Sequence, residues 1–131
     1  MFPSSTKILL VEDMESIRSW EKMQLEKLGL SEIFEAVNGK EALALLEGQR
    51  QKQNPIELIL CDWRMPEMDG LGLFAALQKN PDFCQIPFMM ITAESDTEMV
   101  MQAMEAGVIH YLTKPFSAQN LQEKLELMGK G

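Results

Sequence analysis

Five short apolar runs punctuate the chain: KILLV at 7–11, EIFEA at 32–36, IELILC at 56–61, PFMMIT at 87–92 and GVIHYL at 107–112. Each is five or six residues long and rich in aliphatic side chains, which is the length and composition of a buried strand. Longer segments of helical period separate them. Asn38 with Glu41, and Ser95 with Glu98, set an acid three residues after a capping side chain, while Ser117 precedes Leu121, Leu125 and Met128 on one helical face. Gly29 and Gly107 read as helix stops. The first helix has a looser stripe, because Ile17, Trp20, Leu25 and Leu28 only approximate one face and Glu21 and Gln24 stand where apolar residues would fit. Strands alternating with helices in this way predict an α/β fold, with five βα units forming a doubly wound parallel sheet between helical layers.

The polar residues at the strand ends carry the chemistry. The first run is followed by Glu12-Asp13, the third by Asp62 and the fifth by Lys114, while the fourth closes on the hydroxyl of Thr92. Parallel strands place their carboxyl ends on one edge of the sheet, where the ligand crevice of an open α/β fold lies. If the strand order is 2-1-3-4-5, strands one and four flank the third at about 4.8 Å, and the fifth stands roughly 10 Å from it. A long side chain such as Lys114 spans that gap. Three carboxylates at one point disfavour joint ionisation unless a cation joins them. Magnesium, a hard ion with octahedral oxygen ligands, suits Glu12, Asp13 and Asp62. Together with the Lys114 ammonium it cancels their charge, so a phosphoryl group can enter a neutral site. Asp62 can then act as a nucleophile toward phosphorus, forming an aspartyl phosphate.

Composition narrows the function classes. With 131 residues, 46% hydrophobic and 24% charged, the chain is expected to be one globular domain over 1–131. No run approaches the roughly 18 apolar residues of a membrane span. The start, MFPSSTK, lacks an export-signal pattern, so a cytoplasmic protein is expected, with no membrane role. A net charge of -8 opposes binding to nucleic acid. Cys61 and Cys84 sit in apolar surroundings and read as reduced core thiols. Trp63 reads as a partly exposed aromatic, His110 as a surface strand residue, and the 11 methionines chiefly as core filling.

LVED at 10–13, CDWRMPEMDGL at 61–71, ITAE at 91–94 and YLTKPF at 111–116 together resemble the signature of response regulator receiver domains, most closely the stand-alone, CheY-like chemotaxis kind. The resemblance runs from about Lys7 to Met128 and rests on four motifs in order. It implies the flavodoxin-like strand order 2-1-3-4-5. It implies that Asp62 accepts a phosphoryl group from a histidine kinase. Glu12, Asp13, Asp62 and the backbone carbonyl of Arg64 would serve Mg2+, Thr92 and Lys114 would contact the phosphoryl group, and Thr92 and Tyr111 would form the switch. Lys114-Pro115 matches the cis peptide of the family. Arg64 and Glu94 stand where the family tunes phosphate lifetime, and their opposite charges could pair over the site. Glu12 replaces the aspartate usual in the chemotaxis kind, adding one methylene of reach.

As a hypothesis of output, phosphorylation draws Thr92 inward, Tyr111 fills the vacated space, and the surface of the fourth helix, fifth strand and fifth helix changes shape for a downstream partner. Because the chain stops just after its fifth helix, output through noncovalent binding is expected, at a flagellar motor switch or a phosphotransfer protein. A receiver fragment of a larger response regulator would look the same. The competing reading is a magnesium-dependent phosphohydrolase, which normally needs a second acid beside Asp62 as a general acid; Trp63-Arg64 offers none. A flavin carrier on the same architecture lacks its phosphate loop, since VEDMES follows the first strand.

Overall fold

A computed structural model describes residues 2–93 and 97–129. The order of elements is β1 (Ile8–Val11), α1 (Glu15–Lys27), β2 (Ile33–Ala36), α2 (Gly39–Gln51), β3 (Leu58–Asp62), α3 (Gly70–Gln78), β4 (Phe88–Thr92), α4 (Thr97–Glu105), β5 (Tyr111–Thr113) and α5 (Ala118–Met128). All neighbouring strands pair in parallel in the order β2-β1-β3-β4-β5. The α/β fold and strand order expected from the sequence are those observed.

The three central strands are buried along their whole length, as strands covered on both faces must be. Alternation sorts their side chains into two layers. Leu9, Val11, Ile59, Cys61, Phe88 and Met90 pack with Ala42 and Leu46 of α2, Leu73 and Phe74 of α3 and Ala103 of α4. Ile8, Leu10, Leu58, Leu60, Met89 and Ile91 pack with Leu25 of α1 and Leu121, Leu125 and Met128 of α5. Each buried aliphatic contributes about 1.5–3 kcal/mol, so these layers hold the strand ends against one another.

The capping signals act locally. Asn38 Oδ1 accepts from the Glu41 amide at 2.8 Å, and the Glu41 carboxylate accepts from the Val37 amide at 3.2 Å. Ser117 and Asn120 form a reciprocal capping box, each side chain accepting from the other residue's amide at 3.0 Å. Gly29 and Gly107 stand at φ +84° and +104°, the left-handed conformation that closes α1 and α4. Ser95, the expected cap before α4, lies outside the described residues.

Two expectations need correction. The fifth strand begins at Tyr111, not Gly107. Residues 107 and 108 complete the helix stop instead, with the Gly107 and Val108 amides donating to the Met104 and Ala103 carbonyls at 3.0 Å, and Ile109 is left 81% exposed. The stripe of α1 also differs: Glu21, Gln24 and Leu25 face the core, and Trp20 lies at its margin, 37% exposed and edge-on to Phe116 with centroids 4.9 Å apart.

One close approach positions the loop after β3. The Gly70 amide donates to the Trp63 carbonyl at 2.8 Å, and Asp69 caps α3 by accepting from the Gly72 amide at 2.8 Å. A Cβ at Gly70 would lie 2.6 Å from the carbonyl oxygen of Asp62 and 2.8 Å from Met90 Sδ, inside van der Waals contact. Gly70→Ala is therefore expected to destabilise the protein by about 1–3 kcal/mol, an overpacking cost read by urea unfolding. An unchanged midpoint would show that the loop yields freely.

Candidate functional site

The strand register assembles the site. Val11 pairs with Cys61, so the next step along both strands brings Glu12 beside Asp62, and Asp62 in turn pairs with Ile91, the neighbour of Thr92. The Lys114 amide donates to the Thr92 carbonyl at 2.8 Å, which extends the pairing of β5 to the same edge. Alternation decides which way each side chain leaves the sheet. Glu12, Asp62 and Lys114 continue the α1/α5 side set by Leu10, Leu60 and Leu112. Thr92 continues the opposite side set by Phe88 and Met90, where the half-buried Tyr111 also packs.

Oxygens of Glu12, Asp13 and Asp62 all lie within 4.8 Å of one another. Lys114 Nζ donates to Glu12 Oε1 at 2.8 Å and stands 3.3 Å from Asp62 Oδ1, bridging two carboxylates from across the sheet. Glu12 and Thr92 are buried, whereas Asp62 keeps 9% of its surface open. Glu12, Asp13, Asp62, Arg64, Thr92 and Lys114 line one cavity of about 270 Å³. A larger cavity of about 440 Å³ opens at the opposite edge of the sheet, beneath Phe88 and Met128, but no charged residue lines it.

Burial pushes both Glu12 and Asp62 above the ordinary carboxylate range. Lys114 counters this in each case, by its hydrogen bond to Glu12 and by its charge on Asp62. For Lys114 itself, burial favours the neutral amine, but the Glu12 hydrogen bond and the surrounding acids outweigh it, so its pKa rises and it stays an ammonium. Three carboxylates against one ammonium leave two negative charges. An all-oxygen donor set, a two-charge deficit and a cavity with room for waters fit magnesium, which binds through one or two carboxylates and keeps much of its hydration.

The cavity thus brings together six of the sequence-predicted residues. Glu94, expected to pair with Arg64, lies outside the described residues; the Arg64 guanidinium donates to Met99 Sδ on α4 at 3.3 Å. Tyr111 stands one layer away from the cavity, on the Thr92 side. Trp63 is 4% exposed and belongs to the core, because alternation after Cys61 and Asp62 turns it inward against α3. The methionines divide: Met89, Met90 and Met128 are buried, while Met14, Met23, Met101 and Met104 are exposed. Cys61 is a buried free thiol as expected, and Cys84 is free but only half-buried. His110 precedes the fifth strand and is partly covered.

Sequence reasoning assigned no part to Arg18, whose guanidinium donates to the Glu12 backbone carbonyl at 2.8 Å and to Glu35 on β2 at 2.8 Å. Its partners lie just past β1 and on β2, so no local spacing announces it.

A family model described as the response regulator receiver domain matches residues 8–126. The chain is 38% identical to chemotaxis protein CheY1 of Helicobacter pylori, covering 93% of this chain and 95% of that one. Among solved structures, it is similar to chemotaxis protein CheY4 of Vibrio cholerae, with a TM-score of 0.81 and 29% identity over 94% of this chain and 98% of that one. It is equally similar to the signal receiver domain of a signal transduction histidine kinase from Syntrophus aciditrophicus, with a TM-score of 0.82 and 31% identity over 97% and 92% of the two chains.

One further acid stands close to the cluster. Glu21, on the face of α1 that carries Leu25 into the α1/α5 layer, is 2% exposed. Among the described residues its Oε2 is the only buried side-chain nitrogen or oxygen without a hydrogen-bond partner. Burial, reinforced by the charges of Glu12 and Asp62 and opposed by Lys114, pushes its pKa up to about 8. A carboxyl that binds its proton more tightly when folded stabilises the fold while protonated. That contribution is whole below about pH 4.5, declines as pH rises toward 8 and is gone above it; at about 1.4 kcal/mol per unit, several kcal/mol are involved. Glu21→Gln should therefore lose less stability than wild type between about pH 5 and pH 8.5 and be the more stable at about pH 9, as thermal melts across pH will read. Parallel curves would contradict this.

Proposed function

Because the chain belongs to the response regulator receiver family of two-component signalling, we propose that Asp62 is its phosphoacceptor, taking a phosphoryl group from the phosphohistidine of a histidine kinase. The observation that carries this reading is the placement of Asp62: a strand-end carboxylate, still open to the cavity, 3.3 Å from the Lys114 ammonium and within 4.8 Å of the oxygens of Glu12 and Asp13. Glu12 shares the cavity and the Lys114 contact but is 1% exposed, whereas Asp62 keeps 9% of its surface open.

The chemistry follows from what these residues can do. An Asp62 carboxylate oxygen forms a bond to phosphorus as the bond from phosphorus to the donor imidazole nitrogen breaks, and the electron pair of that bond stays on the nitrogen. Little is asked of the protein beyond positioning and charge neutralisation. Lys114, already beside Asp62, meets the new negative charge without travelling. The Thr92 side chain, at the end of the adjacent strand and lining the same cavity, would hydrogen-bond a phosphoryl oxygen. Magnesium held by Glu12, Asp13, Asp62 and the Arg64 backbone carbonyl would supply the remaining positive charge. Arg64, at the rim, is the residue of the pair proposed to tune phosphate lifetime that the structure describes.

Output is proposed to run through the opposite side of the sheet. Thr92 and Tyr111 leave the sheet toward the layer that includes Ala103 of α4, so a shift of Thr92 toward the phosphoryl group alters the space available to the Tyr111 ring. The α4-β5-α5 surface is then the face offered to a downstream protein, with exposed Met101, Met104 and Ile109 along its α4 margin. The chemotaxis names of its relatives support an output in chemotaxis, for which a motor switch or a phosphotransfer protein in the cytoplasm is the partner proposed. Among the described residues no helix is long and apolar enough to cross a membrane.

Intact-mass spectra after incubation with acetyl phosphate and magnesium should show one phosphoryl adduct, absent in Asp62→Ala. An adduct that survives that substitution, or none in wild type, would overturn the assignment. Tyr111→Ala should keep the adduct while weakening partner capture by at least severalfold; loss of both, or of neither, would contradict the proposed route of output.

A further inference from the structure

We propose that Arg18 is a positioning residue for the acidic cluster: its guanidinium fixes the peptide between Glu12 and Asp13 and so sets where the Asp13 carboxylate stands. The inference rests on the magnesium-dependent phosphoacceptor reading above and adds a residue that touches neither metal nor phosphate.

The bonds form a chain. Arg18 Nη1 donates to the Glu12 backbone oxygen at 2.8 Å, and Nε donates to Glu35 Oε1 at 2.8 Å, with Lys22 Nζ 3.4 Å from the other oxygen of the same carboxylate. The Glu12 carbonyl belongs to the Glu12–Asp13 peptide, which is planar, so holding its oxygen fixes the plane that ends at the Asp13 Cα. The following peptide is held from the other side, since the Met14 amide donates to Glu12 Oε2 at 3.1 Å. Asp13 thus lies between two pinned peptides while its own carboxylate stays exposed and within 4.8 Å of its two partners. Helix α1 gives the loop no other anchor of this kind, because Met14 at its N-cap makes no side-chain hydrogen bond.

The residue type fits the task. A guanidinium presents several donors in one rigid plane and can grip a carbonyl and a carboxylate together, whereas a lysine ammonium concentrates its donors at one point. Glu35 sits on β2, Glu12 directly follows its partner strand β1, and the Glu12 amide donates to the Ala36 carbonyl at 3.0 Å. The Arg18 clamp therefore ties the acidic strand end to the edge strand.

The test is magnesium affinity, measured by calorimetry on the full chain and followed in parallel through the fluorescence of Trp63 next to Asp62. Arg18→Met should weaken binding by about tenfold, the loss typical when a partner that orients a ligand is removed. Arg18→Lys should recover part of it, and Glu35→Gln, which keeps an acceptor but removes the charge, should lose less than Arg18→Met. Leu125→Ala, a cavity in the α5 core remote from the site, provides a destabilised control expected to bind magnesium as wild type does. Unchanged affinity in Arg18→Met would overturn the proposal, as would an equal loss in Leu125→Ala, which would trace the effect to instability. If wild type itself gave no magnesium response, the function proposed above would fall and this inference with it; a normal wild-type response with a normal Arg18→Met response would remove Arg18 alone.

Discussion

The ammonium of Lys114, held between Glu12 and Asp62, is the interaction on which the site depends. Two buried carboxylates so close together cost free energy in desolvation and mutual repulsion, and breaking a buried pair by removing one partner leaves that cost uncompensated. Lys114 lies 102 residues from Glu12 along the chain, and the contact closes only when the four strands from β1 through β3 and β4 to β5 are in register. The cluster is thus a product of sheet pairing and not of any local segment. It also leaves the three carboxylates two positive charges short, a deficit that one divalent cation would neutralise.

The two faces of the sheet divide the labour. The acids and Lys114 leave it toward α1 and α5, while Thr92 and Tyr111 leave it toward α2, α3 and α4. A single residue parity along parallel strands sets this division, since side chains alternate with period two. The chemistry proposed at Asp62 would therefore reach the α4 side through the strand ends, where Thr92 meets the cavity. A one-residue slip of β4 would turn Thr92 to the other side of the sheet, and the buried apolar residues along the whole of β4 fix its register against that slip.

Much of this was legible in the sequence because its signals are local or periodic. Apolar runs marked the strands, Asn38, Ser117 and Gly29 marked helix ends, and acids at strand ends marked the cavity. The failures share a cause, which is that tertiary context overrode a local pattern. Val108 has a strand-like side chain but finishes a helix stop, which leaves Ile109 outside the strand, and Trp63 was turned inward by the parity of β3. Glu21 did leave a trace, as a polar residue where the stripe of α1 called for an apolar one, yet only the fold revealed its proximity to Lys114. Arg18 left none, because its two acceptors lie just past β1 and on β2.

The Lys114 ammonium opposes the upward push of burial on the Asp62 carboxyl and so favours its ionised form. The most direct measurement is the titration of the Asp62 carboxyl carbon by carbon-13 NMR in wild type and in Lys114→Met, both without metal. The account predicts that the Asp62 titration moves to higher pH when the ammonium is removed, because burial then acts with less opposition. A titration that stays in place, or moves to lower pH, would contradict it.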